Sequence, residues 1–270
     1  ILNKYKKKHM FPLKLLPFYV DNKELVRLGS IDDGGYVVPI ETIASSSMLI
    51  SCGINDNWDF EKDFVKKSKI SVWGYDYSID GKFWYSKFKK DLIKFLTLKV
   101  FKPRKIYKMV QYIDFLFFFK FNKKNRFFLK KIGNEPGSLS LIEIVNNNLS
   151  VKKNIFLKID IEGYEYSILK DIINLKNKLQ GIVIEFHDVS KNINIITNFI
   201  DELKTDLYLV HIHGNNYSVK ELNKNPEAIE LTFSKKSLHL KNKINDKLYP
   251  IANLDYPNSK RSPDVKLSFK

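Results

Sequence analysis

Residues 157–169 read Leu-Lys-Ile-Asp-Ile-Glu-Gly-Tyr-Glu-Tyr-Ser-Ile-Leu and carry the clearest fold signal in the chain. An apolar strand runs through Asp160 and Glu162, and a helix begins near Gly163. The two carboxylates are two positions apart, so they point to the same side of an extended segment. Because helix capping explains only one of them, a shared ligand or cation is the sharper interpretation.

On both sides of this segment, short apolar runs alternate with stretches of helical period. The predicted strands are Met48 to Gly53, Ile70 to Tyr75, Asn154 to Asp160, Gly181 to His187 and Leu207 to His213. The predicted helices are Phe60 to Lys67, Tyr164 to Leu175 and Asn192 to Leu203. This alternation predicts a single α/β domain over 1–270 with a mostly parallel, doubly wound sheet. Two further strands, Glu227 to Phe233 and Lys247 to Ile251, are predicted as antiparallel additions near the sheet's edge.

The net charge of +16 is concentrated in two segments. Residues 82–131 contain 16 Lys and Arg but only two acids, and residues 1–14 contain five Lys and no acid, so the remaining chain sums to −3. The pattern indicates a slightly acidic body with two basic attachments. We interpret 82–131 as a basic-aromatic insertion, either an extra helical layer packed on the body or a lid or membrane-facing arm.

Cysteine content and hydropathy exclude several classes of protein. The single Cys52 excludes an internal disulfide framework and a Cys-based zinc cluster, which favours a reducing, cytoplasmic compartment. The sequence has no run near the roughly 20 apolar residues that a membrane-spanning helix needs, and no signal peptide is expected. Contact with the membrane is therefore expected to be peripheral, at the inner membrane and through 82–131.

Open parallel sheets bind ligands beyond the carboxyl ends of their strands. Gly53 follows the first strand and would let a ligand approach the backbone, while Asp76 lies 23 positions later, a spacing suited to the hydroxyls of an adenosine ribose. Only Gly53 of a G-x-G-x-x-G motif is present, which disfavours a dinucleotide. S-adenosylmethionine needs no phosphate cradle and fits this pattern. The predicted cofactor-binding residues are Gly53, Asn55, Asp76, Tyr77, Asp160 and Glu162.

The next strand ends carry acids and imidazoles. Glu185 with His187, and His211 with His213, each obey the two-residue period, so neighbouring strand ends present polar groups to one crevice. Either His187 or His213 is the candidate general base for a hydroxyl proton. The predicted catalytic residues are Asp160, Glu185, His187 and His213. The same four residues could alternatively hold a hard divalent cation that acidifies the hydroxyl, although no metal is required.

Together these motifs resemble the FkbM-type S-adenosylmethionine-dependent methyltransferases. The resemblance rests on Val26-Arg-Leu-Gly-Ser-Ile-Asp-Asp-Gly-Gly-Tyr-Val-Val38, Ser51-Cys-Gly-Ile-Asn-Asp56, Lys158-Ile-Asp-Ile-Glu-Gly-Tyr-Glu165, Ile184-Glu-Phe-His187 and His213-Gly-Asn-Asn216. It implies a class I methyltransferase fold and methyl transfer to oxygen, often on a sugar. It places Gly53 and Asp76 at the family's first-strand and ribose positions, and it implies that residues 33–36 help to close the site.

The predicted function is O-methylation of a sugar hydroxyl, on a nucleotide-activated sugar such as a heptose or on a glycan of a bacterial capsule or lipopolysaccharide. Residues 82–131 would cover a diphosphate or dock at an anionic membrane. Two alternatives stay open. A glycosyltransferase is suggested by Asp160-Ile-Glu162, which imitates an acid-x-acid cation site, and a nucleic-acid binder by the basic-aromatic insertion. No nucleic-acid partner is expected, because the chain lacks an Asn/Asp-Pro-Pro-aromatic motif. The sequence does not predict an oligomeric state.

Overall fold

The structure, a computed structural model, describes residues 10–96, 111–148, 153–219, 225–239 and 244–270. Its strands are β1 (Met10–Phe11), β2 (Leu25–Gly29), β3 (Gly35–Pro39), β4 (Met48–Cys52), β5 (Ser71–Tyr75), β6 (Arg126–Phe128), β7 (Ile155–Ile159), β8 (Leu179–His187), β9 (Leu207–Gly214), β10 (Ala228–Lys235) and β11 (Ser268–Phe269). Its α-helices are α1 (Ile40–Ala44), α2 (Asp59–Ser68), α3 (Gly81–Leu96), α4 (Leu141–Glu143), α5 (Leu169–Leu175) and α6 (Val189–Leu203).

Seven of these strands form the central sheet, in the order β6-β5-β4-β7-β8-β10-β9. The strand pairs from β6 through β8 are parallel, whereas β10 runs antiparallel to both of its neighbours, β8 and β9. The chain builds the sheet outward in two directions from β4 and β7. Their carboxyl ends are therefore the point where ligands bind in open α/β sheets.

Buried side chains cover both faces of the sheet. In β7, Ile155, Leu157 and Ile159 belong to one hydrophobic cluster, and Phe156 belongs to the cluster on the opposite face. This two-sided burial explains the continuous apolar run in the sequence, since both faces of a parallel strand are covered by other elements. The mostly parallel α/β fold predicted from the sequence is confirmed.

The predicted elements agree with the structure in most places. The five main strands and the strand at β10 are confirmed, with ends that differ by one or two residues. The strand predicted for Lys247 to Ile251 is wrong. There, Tyr249 forms only an isolated bridge to Leu267. The helix predicted from Tyr164 begins as a 3-10 turn, Glu165–Ile168, before α5. Sequence reasoning also missed the β2–β3 hairpin.

The basic-aromatic segment 82–131 packs on the body where the structure describes it. Trp84 and Phe115 contact Trp58 and one another, and Phe119 is buried beside them. This agrees with an extra layer that buries its apolar side. The segment also supplies β6, the edge strand of the central sheet, so it is not wholly an insertion. Residues 97–110, and residues 1–9 of the N-terminal basic run, lie outside the described residues.

None of the helices in the described ranges combines the length and the hydropathy that crossing a bilayer requires.

Candidate functional site

A cavity of about 400 Å³ opens at the carboxyl ends of β4, β5 and β7. All six predicted cofactor-binding residues line it. They are Gly53, Asn55, Asp76, Tyr77, Asp160 and Glu162. Ile132 and Ile161 add apolar surface, and Tyr77, whose ring is 58% exposed, offers an aromatic face at the rim. A pocket of this size with both apolar and polar walls suits a small organic ligand.

Gly53 is required by the protein's own backbone. Its φ is +83°, and a Cβ atom there would lie 1.6 Å from the carbonyl oxygen of Asp160. The expectation that Gly53 makes room for a ligand therefore needs correction, because the carbonyl oxygen of Asp160 fills the space that a side chain at position 53 would take. The close approach fixes Gly53 and Asp160 against each other at the floor of the cavity.

Asp76 holds the loop that follows β4. Its Oδ2 accepts hydrogen bonds from the backbone N–H groups of Ile54 and Asn55 at 2.9 and 2.8 Å. Its Oδ1 accepts from the backbone N–H and the hydroxyl of Ser78 at 2.7 and 2.6 Å. A carboxylate has about four acceptor positions, so this one is fully used. Only the Ser78 hydroxyl can rotate away, which makes it the donor that a hydroxyl of a bound ligand could replace.

Lys158 and Tyr36 both support the floor of the cavity, and the Lys158 ammonium lies 5.9 Å from the centre of the Tyr36 ring. The Lys158 ammonium donates to the carbonyl oxygen of Gly53 at 2.6 Å and lies 3.8 Å from Glu61. The Tyr36 hydroxyl donates to Asp160 Oδ2 at 3.1 Å. Residues 33 and 34 line the same cavity, so the segment that the resemblance assigned to closing the site does border it.

Glu165 connects the turn after β7 to the end of β8. Its Oε1 atom accepts hydrogen bonds from the backbone N–H groups of Ile161 and Gly163, and it lies 3.0 Å from His187 Nδ1. The side chain is fully buried. Because a carboxylate accepts only, Nδ1 carries the shared proton. Glu165 thereby fixes both the turn and the orientation of the imidazole ring.

Asp160, which lines the cavity, converges with Glu185 and His187 from the end of β8. Each offers one ligand atom, and these three atoms all lie within 4.8 Å of one another. Each residue is also anchored by a hydrogen bond. Asp160 Oδ2 accepts from Tyr36, Glu185 Oε1 accepts from the Asn215 amide at 2.8 Å, and His187 Nδ1 faces Glu165. We call these three residues the 160–185–187 cluster.

Glu162 lies beside this cluster, but its backbone conformation is no longer that of a strand. Its φ is +53°, its side chain is 79% exposed, and its Oε2 atom lies 3.6 Å from His187 Nε2. The backbone is not extended at Glu162, so the prediction that Asp160 and Glu162 lie on one side of an extended segment is wrong. Both residues nevertheless border the cavity. Asp160 belongs to the inner cluster, and Glu162 belongs to the rim.

Burial and like charges perturb the cluster's titration. Burial, reinforced by Asp160 and Glu230, raises the pKa of Glu185 well above its ordinary value. Burial likewise raises the pKa of Asp160, although Lys158 and His187 oppose this shift. For His187, burial alone lowers the pKa, but the hydrogen bond and charge of Glu165 outweigh it and the pKa is raised. Such shifted groups in a cleft are characteristic of functional sites.

His213 lies outside this cluster, which corrects two predictions. Its Nδ1 lies 3.0 Å from Glu230 Oε2, its Nε2 lies 3.0 Å from Asp264 Oδ1, and it is 1% exposed. Burial alone lowers the pKa of His213, but the charge of Glu230 and the hydrogen bond to Asp264 hold it well above the usual range. With both nitrogens occupied, His213 serves neither as the general base nor as a metal ligand in this geometry.

A second cavity of about 410 Å³ adjoins the first and shares Asp33, Asp56 and Asn57 with it. The rest of its wall is polar and aromatic, with Trp58, Tyr217, Asn258, Ser259, Lys260 and Arg261. Asn258 donates to Asp33 and to Glu230, at 3.0 and 2.7 Å. Hydrogen bonds thus link this second cavity to the acids behind the 160–185–187 cluster.

Sequence reasoning missed four supporting residues of the site: Tyr36, Lys158, Glu165 and Asn215. Lys158 left the strongest signal, since it is a lysine within an otherwise apolar strand. Its distance of two positions from Asp160 places both side chains on one face. Glu165 and His187 come from separate elements, 22 positions apart, so the distance between them along the sequence does not predict their hydrogen bond.

Residues 131–227 match the family model described as the methyltransferase FkbM domain. This part of the chain is similar to the FkbM methyltransferase domain. This confirms the family resemblance over a segment that contains Asp160, Glu185 and His187 and leaves out Gly53 and Asp76. The FkbM match supports an S-adenosylmethionine-dependent methyltransferase. The comparison with curated protein sequences gives no significant match.

Solved structures of methyltransferases are similar at a low level. An rRNA methylase from Streptococcus thermophilus is 13% identical with a TM-score of 0.37, over 73% of this chain and 93% of its own. A Streptococcus mutans protein described as a methyltransferase, in complex with SAH, is 12% identical with a TM-score of 0.37, over 73% and 94%. The fibrillarin pre-rRNA processing protein of Methanococcus jannaschii is 13% identical with a TM-score of 0.37, over 72% and 68%. Such scores carry no conclusion about the substrate of this chain.

Proposed function

We propose that this FkbM methyltransferase transfers the methyl group of S-adenosylmethionine to the hydroxyl of a sugar, carried on a nucleotide or on a glycan. One observation carries the proposal. Asp160 lines the cavity that Gly53 and Asp76 border, and it also belongs to the 160–185–187 cluster. A methyl donor and a group that activates a hydroxyl would therefore meet at one point.

The cavity fits a sulfonium donor. Its wall carries five acids, Asp33, Asp56, Asp76, Asp160 and Glu162, against three lysines, Lys130, Lys131 and Lys158. Excess negative charge close to a sulfonium cation stabilises it, most strongly where water is excluded. The ribose hydroxyls would replace the Ser78 hydroxyl on Asp76, and the adenine would lie on Tyr77.

Activation of the acceptor would take place at the 160–185–187 cluster. A sugar hydroxyl holds its proton at neutral pH, so transfer needs either a base or a Lewis acid beside the oxygen. The cluster offers both possibilities, because His187 Nε2 is a free acceptor and the three groups can together hold a cation. In either case the oxygen attacks the methyl carbon while the carbon–sulfur bond breaks, and the demethylated cofactor leaves.

The second cavity is our proposed acceptor site. Its amides, hydroxyls and aromatic rings match the donors, acceptors and apolar faces of a sugar ring. Lys260 and Arg261 at its wall would neutralise a phosphate or diphosphate attached to the sugar. We also propose a cytoplasmic location with peripheral membrane contact through 82–131, which co-sedimentation with anionic vesicles at low and high salt would test.

Calorimetry with S-adenosylmethionine and its demethylated product tests the donor site. We expect both to bind, and Asp76→Ala to weaken them about tenfold or more, since the loop after β4 loses its anchor. Asp80→Asn is the matched control, because Asp80 accepts a hydrogen bond from the Phe83 N–H and does not line the cavity. If neither compound binds the wild-type protein, the proposed function is wrong.

Mass spectrometry of sugar nucleotides incubated with enzyme and donor tests the acceptor class. We expect a mass gain of one methyl group on a hexose or heptose moiety, with no release of nucleoside diphosphate. Release of the diphosphate without use of the methyl donor would favour a glycosyltransferase instead.

A further inference from the structure

The 160–185–187 cluster has the arrangement of a prepared cation site. Among the described residues, Asp160 Oδ1, Glu185 Oε2 and His187 Nε2 take part in no hydrogen bond, although the other polar atom of each side chain is anchored. His187 Nε2 lies 3.9 Å from the Glu185 carboxylate at Oε1, the oxygen that also accepts from the Asn215 amide. Atoms that each lie about 2.1 Å from one metal ion are separated by about 3 to 4 Å.

We propose that Asp160, Glu185 and His187 bind one divalent cation of the Mn²⁺ or Mg²⁺ type. Two carboxylates and one imidazole form a mostly hard ligand set, which suits these ions, and Mn²⁺ tolerates the nitrogen ligand best. Three protein ligands leave coordination positions for water or for substrate oxygens. The site draws one residue from the end of β7 and two from the end of β8.

The contact of Glu165 with His187 independently points to a ligand at the cluster. A metal-bound histidine nearly always donates its other ring N–H to a carboxylate or carbonyl, which fixes the ring and directs its lone pair at the ion. Glu165 makes this contact with His187 Nδ1 at 3.0 Å from a fully buried position. Its second oxygen, Oε2, is buried without a hydrogen-bond partner in the described part of the chain.

Further acidic side chains lie around the cluster. Asp33, Glu185 and Glu230 all act on one another electrostatically, and Asp160 faces the same group. Within the described ranges, the cations that oppose these acids are Lys158, which is engaged with Gly53, and the two histidines, 187 and 213. A bound cation would let these carboxylates stay ionised in spite of their burial.

The cation's role in catalysis rests on the proposed function, whereas the binding site itself does not. The ion would bind the acceptor hydroxyl and lower its pKa, and the proton would pass to Glu162 at the solvent-exposed rim. The oxygen would then form its bond to the methyl carbon as the carbon–sulfur bond breaks. In the loaded enzyme His187 is thus a ligand, and it is not the base.

Titration of the metal-free protein with Mn²⁺, followed by loss of the free-ion EPR signal, tests the site without any substrate. We expect one tight site, with Mn²⁺ affinity reduced about 100-fold or more by His187→Ala and by Glu185→Gln. Glu165→Gln should reduce it about 10- to 100-fold, the range for a residue that orients a ligand. Asp188→Asn is the control, since it removes the same charge one residue from His187 but from a carboxylate directed at Lys191 on the surface. It should change the affinity less than threefold.

Pulsed EPR of the wild-type Mn²⁺ complex should show one directly coordinated histidine nitrogen, and this measurement needs no variant to fold. No binding at millimolar Mn²⁺, equal affinity in Glu185→Gln and Asp188→Asn, or a complex without coordinated nitrogen would each overturn the proposal. Calorimetry with the demethylated cofactor separates this result from failure of the proposed function, because donor binding tests the methyltransferase and Mn²⁺ binding tests the cation site.

Discussion

His187 and His213 lie at the ends of two strands of the same sheet, each beside carboxylates, yet the structure gives them opposite roles. His187 has one nitrogen held by Glu165, and its other nitrogen has no hydrogen-bond partner among the described residues, with the side chain 24% exposed. His213 is closed on both sides, by Glu230 and Asp264. A histidine that faces a crevice is therefore available for chemistry only when one ring nitrogen is left without a partner.

Removal of the open imidazole should have the largest effect. We expect His187→Ala to lower turnover about 10²- to 10⁴-fold, the usual contribution of a group that activates a hydroxyl. Its free energy of unfolding should also fall by about 1 to 3 kcal/mol, because the buried Glu165 carboxylate loses its imidazole partner. Steady-state kinetics and urea unfolding measure the two quantities. His239→Ala, whose ring contacts Ser234 away from the cavity, is the control and should keep wild-type turnover.

Removal of the closed imidazole should act on stability instead. His213→Gln would leave Glu230 and Asp264 without their cation, which should lower the free energy of unfolding by about 3 to 5 kcal/mol. Turnover per folded molecule should stay within about threefold of the wild type. A large loss of turnover at full stability would contradict the division between the two histidines.

The pH dependence of stability should sharpen this division. Since the pKa of His213 is raised in the folded protein, its stabilising contribution is complete below the unfolded pKa of about 6.5 and is lost as the pH rises through the folded pKa. The difference in unfolding free energy between the wild type and His213→Gln should therefore be largest near pH 6 and should shrink in alkaline buffer. Urea unfolding at several pH values measures it. A difference that grows with pH would mean that His213 is neutral when folded.

Tyr36→Phe should have the smallest effect. It removes the hydroxyl that anchors Asp160 and keeps the ring, which packs edge-on against Phe60. Loss of one hydrogen bond to a carboxylate should lower turnover about tenfold and leave the acceptor KM unchanged. A wild-type rate would show that Asp160 is positioned by the backbone alone, through its close contact with Gly53.

The sequence predicted the central sheet well because buried parallel strands leave continuous apolar runs, as in β7 and β8. It failed where a segment had no periodic pattern of its own. The strand predicted at Lys247 to Ile251 was wrong, and β6 was hidden inside the basic-aromatic segment. Edge strands of three residues are too short to leave a signal in the sequence.

The candidate site could be predicted only as far as strand ends reveal it. Asp160, Glu185 and His187 were found because the ends of adjacent parallel strands lie together. The same rule included His213 wrongly, since it cannot show that Asp264, some fifty positions later, occupies the second ring nitrogen. It also predicted that Gly53 lets a ligand approach the backbone, whereas the Asp160 carbonyl oxygen fills the space beside this glycine.

The contacts of Glu165 make the two halves of the site thermodynamically dependent on one another. The turn that it holds contributes Ile161 and Glu162 to the first cavity, and the imidazole that it holds belongs to the 160–185–187 cluster. A ligand that displaces the turn would also displace the ring, and its binding would then change the affinity of the cluster for its own ligand. By reciprocity the factor would be the same in both directions, so the coupling through this one buried carboxylate can be measured by titrating either ligand in the presence of the other.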